Sequence, residues 1–344
     1  MRISFINDYN SAGHPDIINA VLAACPNKYI GYGLDEESEK AKNAIHKLIG
    51  NDNAQVHFLM GGTQTNLVAI SAFLRPHEAV IAPKTAHIQV HETGAIEAVG
   101  HRILTAETAD GKIKPQDIRS VVQQHGNEHM VKPRLVFISQ ATEYGTIYSL
   151  EELRELRKTC DELKLLLYMD GARLAPALMS ERNDMTAQDI ARLTDAFYMG
   201  GTKNGLLFGE ALIISNPDIG EDFRFFMKQK GGLPAKGFLL GLQFYHALES
   251  GLYFSIAKQA DTMAGILTAE LKKAGCPFMA DTYTNQVFPI INDDIVRLLE
   301  RDFLFETWER VSETMTCIRL VTTWETTSEQ ISAFVSRYLS LIKI

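Results

Sequence analysis

No uninterrupted apolar run in this 344-residue chain approaches the roughly 20 residues of a membrane span, and Met1 to Asn10 has no apolar stretch of signal-peptide length. The protein is expected to stay where it is made, in the cytoplasm. Cysteine is scarce: the four residues Cys25, Cys160, Cys276 and Cys317 lie far apart with no CxxC pair. That spacing argues against a zinc knuckle or a disulfide framework and fits a reducing compartment. A basic excess is missing too. The net charge is −8 with acidic and basic residues interspersed, which argues against nucleic acid as a partner. Internal repeats, low-complexity tracts and flexible linkers are also lacking. HExxH zinc chemistry is excluded because His91 and Glu92 are followed by Ala95, and no metal ligand is assigned.

What is present is an enzyme-sized, 46% hydrophobic chain, long enough for a large and a small domain. From Val56 to Ile214, apolar strands alternate with helices. The strand runs are Val56–Met60, Ala79–Ala82, Leu135–Ser139, Leu165–Met169, Ala196–Met199 and Ala211–Ile214. Such alternation predicts an α/β fold with a mainly parallel central sheet covered by helices on both faces. Ser149 and Glu152 form a capping box that starts a helix over 150–163. After Pro234 a long helical stretch, 238–271, is expected to break near Gly251. Strands near 286–291 and 317–322 and a closing helix from Ser328 follow. The reading is an N-terminal arm and large domain over 1–240 and a small C-terminal α/β domain over 241–344.

In an open α/β sheet, ligands gather beyond the carboxyl ends of the strands, so the residues just past each strand should line one crevice. Gly61-Gly62-Thr63 opens a helix and offers backbone N–H groups to a phosphate, without the Lys-Ser/Thr of a nucleotide loop. His87 follows the next strand, and Glu143 lies in Thr142-Glu143-Tyr144. Asp170 begins Asp170-Gly171-Ala172-Arg173, where a carboxylate at a buried strand end needs a cation or donor to stay ionised. Thr202-Lys203 follows Gly200-Gly201, and an amine there is placed to react with a carbonyl. Each motif alone reads as a tight turn, a hydrogen-bonded core histidine, an ion pair or a surface lysine. Jointly they form a set suited to pyridoxal 5'-phosphate: phosphate on the helix start, ring against His87, ring nitrogen on Asp170, aldehyde on Lys203.

These residues resemble the fold-type-I pyridoxal-phosphate enzymes, and within them the low-specificity L-threonine aldolase and β-eliminating lyase group. The resemblance covers nearly the whole chain and rests on Gly61-Gly62-Thr63-Gln64-Thr65-Asn66, Thr85-Ala86-His87, Met169-Asp170-Gly171-Ala172-Arg173, Lys203 and Cys317-Ile318-Arg319. It implies a fold-type-I transferase-like architecture and a homodimer or homotetramer with shared active sites. It also implies retro-aldol cleavage of a β-hydroxy-α-amino acid to glycine and an aldehyde. Arg319 and Arg173 are implied as partners of the substrate carboxylate, Asn7 and Tyr32 as further substrate contacts, and the Tyr32 segment as reaching a neighbouring site. Two departures stand out: Asn7-Asp8-Tyr9 replaces Ser-Asp-Thr, and Glu143 occupies the place of a second histidine. The base for the substrate hydroxyl is then His87, Glu143 or a water. β-Elimination, transamination and a non-catalytic cofactor-binding role are the competing readings.

Overall fold

The computed structural model describes residues 2–342. A two-residue strand, β1 (Ile3–Ser4), precedes the strands of the main sheet: β2 (Gln55–Leu59), β3 (Glu78–Pro83), β4 (Ile103–Ala106), β5 (Lys132–Ser139), β6 (Leu166–Asp170), β7 (Ala196–Gly200) and β8 (Glu210–Ile214). Their order is β2-β8-β7-β6-β5-β3-β4. Neighbours from β7 to β4 run parallel, and β8 runs antiparallel to both β2 and β7. Six of these strands are legible as apolar runs. The short edge strand β4 is not, because its Thr105 is exposed and only four residues carry the pattern.

The strands are near-continuously apolar because both faces are covered. Val136, Ile138, Leu167, Met169, Phe197 and Met199 enter one helical layer. Their neighbours Leu135, Phe137, Leu166, Tyr168, Ala196 and Tyr198 enter the other. Local signals set the helix limits. Asp35 caps Glu36–Ile49 and Gly50 ends it at φ 64°. Ser149 and Glu152 form the expected box on Leu150–Leu163, and Gly251, at φ 73°, separates Phe238–Glu249 from Leu252–Lys273.

The remaining strands are β9 (Gln286–Val287), β10 (Ile290–Asn292), β11 (Phe303–Leu304), β12 (Glu306–Arg310) and β13 (Met315–Val321), followed by the helix Ser328–Leu341. β13 pairs antiparallel with β9, β10 and β12. A separate apolar core forms here from Leu267, Leu271, Val287, Ile318, Leu320, Phe334 and others. The N-terminal arm is part of it: β1 pairs with β11, and Phe5 is fully buried against Phe303 and Phe334. That contact carries residues 7–9 to the mouth of the main sheet. Among the described residues, no helix is long and apolar enough to cross a membrane.

Candidate active site

At the carboxyl ends of β2, β3, β5, β6 and β7 lies a cleft of about 420 Å³, within the range of small-molecule sites. Gly61, Gly62 and Thr63 line it from the β2 end, His87 from the β3 end and Glu143 from the β5 end. Asp170 and Arg173 come from β6, Thr202 and Lys203 from the turn after β7, and Arg319 from β13. Segments as distant in sequence as 61 and 319 thus meet around one space. Asn7 does not line it, and its side-chain oxygen accepts from the Tyr9 amide; Tyr9 lines the cleft instead. Tyr32 lies apart from it, 43% exposed, with Lys228 Nζ 4.5 Å from its ring centroid.

The floor is a hydrogen-bonded chain. Asp170 Oδ1 accepts from the Ala172 amide (2.9 Å) and the Tyr198 hydroxyl (2.5 Å), while Oδ2 accepts from Asn66 Nδ2 (3.0 Å). Three neutral donors satisfy this buried carboxylate without consuming it in an ion pair. Asn66 Nδ2 also donates to Glu92 (2.8 Å), and its oxygen accepts from Tyr168 (3.0 Å). Glu92 in turn holds His87 Nδ1 at 2.8 Å. Burial by itself would lower the His87 pKa, but the Glu92 hydrogen bond and the charges of Glu143 and Asp170 outweigh it and raise the value. Gly171 is required by close approach, since a Cβ there would lie 1.7 Å from the Tyr198 carbonyl oxygen. That contact is the physical content of the glycine in the Asp-Gly-Ala-Arg turn.

Lys203 makes no side-chain hydrogen bond or ion pair among the described residues. Its pKa is lowered, first by burial and then by the Arg173 charge. An amine in that state is nearer its neutral, nucleophilic form. Glu210 stands beside this turn because β8 is reversed, which brings its first residue to the cleft. No run of apolar residues signals such a reversal. Glu210 accepts from the Gly201 amide (2.9 Å), and burial pushes its pKa up to about 7.

A carboxyl whose pKa is raised on folding contributes stability that is full below its ordinary value and lost as pH rises through the folded one. Glu210→Gln, which keeps an acceptor for Gly201, is therefore expected to gain stability over the wild type from about pH 4.5 to about pH 7, by on the order of 1 kcal/mol per pH unit. Thermal unfolding across that window checks this, and parallel curves for the two proteins would refute it.

The two arginines differ. Arg173 gives Nε (2.8 Å) and Nη2 (3.0 Å) to Asp8, a buried carboxylate that also accepts from Asn285 Nδ2 (2.9 Å). The Arg173 charge holds Asp8 below the usual carboxylate range against the opposing effect of burial. Arg319 instead meets Glu306, directly across the β12–β13 ladder, and its guanidinium lies 4.9 Å from the Trp308 ring centroid. Trp308 falls where the β12 register shifts by one residue, a bulge that re-aims its ring. The sequence shows no sign of that bulge.

The comparisons with known proteins agree with this geometry. A family model described as beta-eliminating lyase matches residues 5–294. The chain is 33% identical to the low specificity L-threonine aldolase of Pseudomonas aeruginosa over 299 residues, covering 86% of each chain. It is 34% identical to the enzyme of that name from a Pseudomonas species, covering 83% of each. Among solved structures, the Leishmania major threonine aldolase superposes with a TM-score of 0.97 at 44% identity, covering 99% of both chains. Serine palmitoyltransferase of Sphingomonas wittichii shares the fold at 15% identity with a TM-score of 0.76. With the strand-end cleft, the Asp170 network and the family match over most of its length, the chain belongs to the beta-eliminating lyase family.

Proposed function

We propose that the cleft holds pyridoxal 5'-phosphate and cleaves a β-hydroxy-α-amino acid, such as threonine or allo-threonine, to glycine and an aldehyde. The observation that carries this reading is the shared cleft of Lys203, an amine of lowered pKa with no hydrogen bond or ion pair among the described residues, and Asp170, a carboxylate held by three neutral donors. The donor set fits the cofactor. The helix Gly62–Phe73 starts at Gly61 with no side-chain cap, and open space lies above Gly61, so its first amides are free for a phosphate. Asp170 suits a protonated ring nitrogen, the part-exposed His87 ring suits stacking, and Lys203 suits the aldehyde. When bound, the cofactor supplies the electron sink for the broken Cα–Cβ bond.

The chain's own residues supply positioning and proton transfer. Arg319 receives the substrate α-carboxylate, and Arg173, already gripped by Asp8, supports it with its charge. Glu143 has no hydrogen bond or ion pair among the described residues and is the base we assign to the β-hydroxyl proton. His87 has a raised pKa and is tied to Glu92, so it serves the ring face better than it serves as a base. The relatives' shared name supports the substrate class.

We also assign the large unit to 1–240 and the small unit to 241–344, and the location to the cytoplasm. A homodimer or homotetramer is the expected assembly, with the exposed Ile30, Tyr32 and Leu34 at its interface.

The direct test is incubation of the purified, cofactor-loaded protein with L-threonine and L-allo-threonine. Glycine and acetaldehyde are expected in equal amounts. A keto acid with ammonia, and no glycine from either isomer, would select β-elimination instead.

A further inference from the structure

A carboxylate grips a guanidinium bidentately through Nε and Nη2 or through Nη1 and Nη2. Each fork uses one of the two Nη2 hydrogens. In Arg319 an Nη2 hydrogen goes to Glu306, so an incoming carboxylate meets that negative charge at Nη2, while Nε is buried without a partner. The Arg319 side chain is only 9% exposed, so its orientation is fixed by packing on Trp308 more than by solvent. Glu306 is 40% exposed and sits on the cleft wall, free to rotate outward.

The other arginine gives the contrast. Asp8 is 2% exposed, uses both oxygens on Arg173 and is held by Asn285, so that pair has nowhere to go. One internal carboxylate is thus locked on its arginine and the other is loosely held.

We propose that Glu306 is a resident carboxylate that occupies Arg319 in the free protein and yields Nη2 to the α-carboxylate of an incoming amino acid, thereby setting how tightly the substrate binds. The proposal rests on Arg319 being the carboxylate site. Displacement exchanges one ion pair for another, so Glu306 taxes binding without entering the chemical step. The tax is modest because a part-exposed pair is weak.

Removing the charge should lower the KM for threonine about five-fold in Glu306→Gln and leave kcat within about two-fold. A second readout is independent of turnover. The chain has two tryptophans, and Trp308 lies against the guanidinium. In a Trp324→Phe background, titration with propionate, a carboxylate that has no amino group, is followed by Trp308 fluorescence with and without cofactor. The half-saturating propionate concentration should fall about five-fold on Glu306→Gln.

A higher or unchanged KM and half-saturation would make Glu306 a buttress of Arg319 and overturn the proposal. The absence of any saturable signal in both proteins would also overturn it. Saturation by propionate in a protein that fails to cleave threonine would leave this proposal standing and remove the lyase reading alone.

Discussion

Lys203→Ala is expected to abolish the visible absorbance of the cofactor-loaded protein and glycine formation together, with turnover falling by at least about a thousand-fold. The state of this amine matters as much as its position. Lys203 sits on the turn after β7, in a wall also made by Asp170 and Arg173, and has no hydrogen bond or ion pair among the described residues, only the Tyr9 ring 5.9 Å from Nζ. Burial and the Arg173 charge lower its pKa. A structural lysine in such surroundings would be paired, because an unpaired buried ammonium is costly. The alanine variant should therefore fold at least as well as the wild type while losing all chemistry. Absorbance spectra, a glycine assay and thermal unfolding on the same preparation decide it. Persistence of the absorbance in the variant would remove Lys203 from the cofactor site.

The reach of the sequence follows from what a periodic pattern can encode. Parallel strands buried on both faces announce themselves as apolar runs, so six strands of the main sheet, and the residues just past most of them, are readable. Helix limits are readable for a related reason: Ser149, Glu152, Gly50 and Gly251 act within a few residues of themselves. Whatever depends on strand direction or tertiary pairing is not readable. The reversal of β8, which delivers Glu210 to the cleft, leaves no local trace. Asn66, Glu92 and Tyr198 look like an ordinary helix residue, a surface acid and a core aromatic until folding places them in one chain of hydrogen bonds. Their signal was the burial of polar groups, which a sequence does not display.

The same limit explains the two arginines. Arg173 and Arg319 read alike as carboxylate partners, yet one is closed by Asp8 from the N-terminal arm and the other faces a half-exposed Glu306. The arm is fixed by Phe5 in the small core and by β1 on β11. A packing contact remote from the cleft thus decides which arginine stays available. The departure at Asn7-Asp8-Tyr9 falls in this arm, and its middle residue, Asp8, takes the structural pairing.

Asp170→Asn carries the second large effect: a fall in kcat of about a hundred- to a thousand-fold, with cofactor absorbance retained. The substitution keeps the shape and removes the charge. With its amide oxygen at the Oδ1 position, the asparagine still accepts from the Ala172 amide and the Tyr198 hydroxyl, and only the bond from Asn66 is lost. That loss is offset. Asp170 and Glu92 are two buried carboxylates sharing the Asn66 amide, and neutralising one relieves their repulsion. What is lost is the only function that needs an anion there, namely keeping a proton on the ring nitrogen so that the ring can accept electrons. Equal unfolding temperatures, equal absorbance on loading and a collapsed kcat would together separate that role from a structural one. Wild-type turnover in the variant would show that the carboxylate serves the fold and not the reaction. Loss of cofactor with turnover would make it a binding group alone.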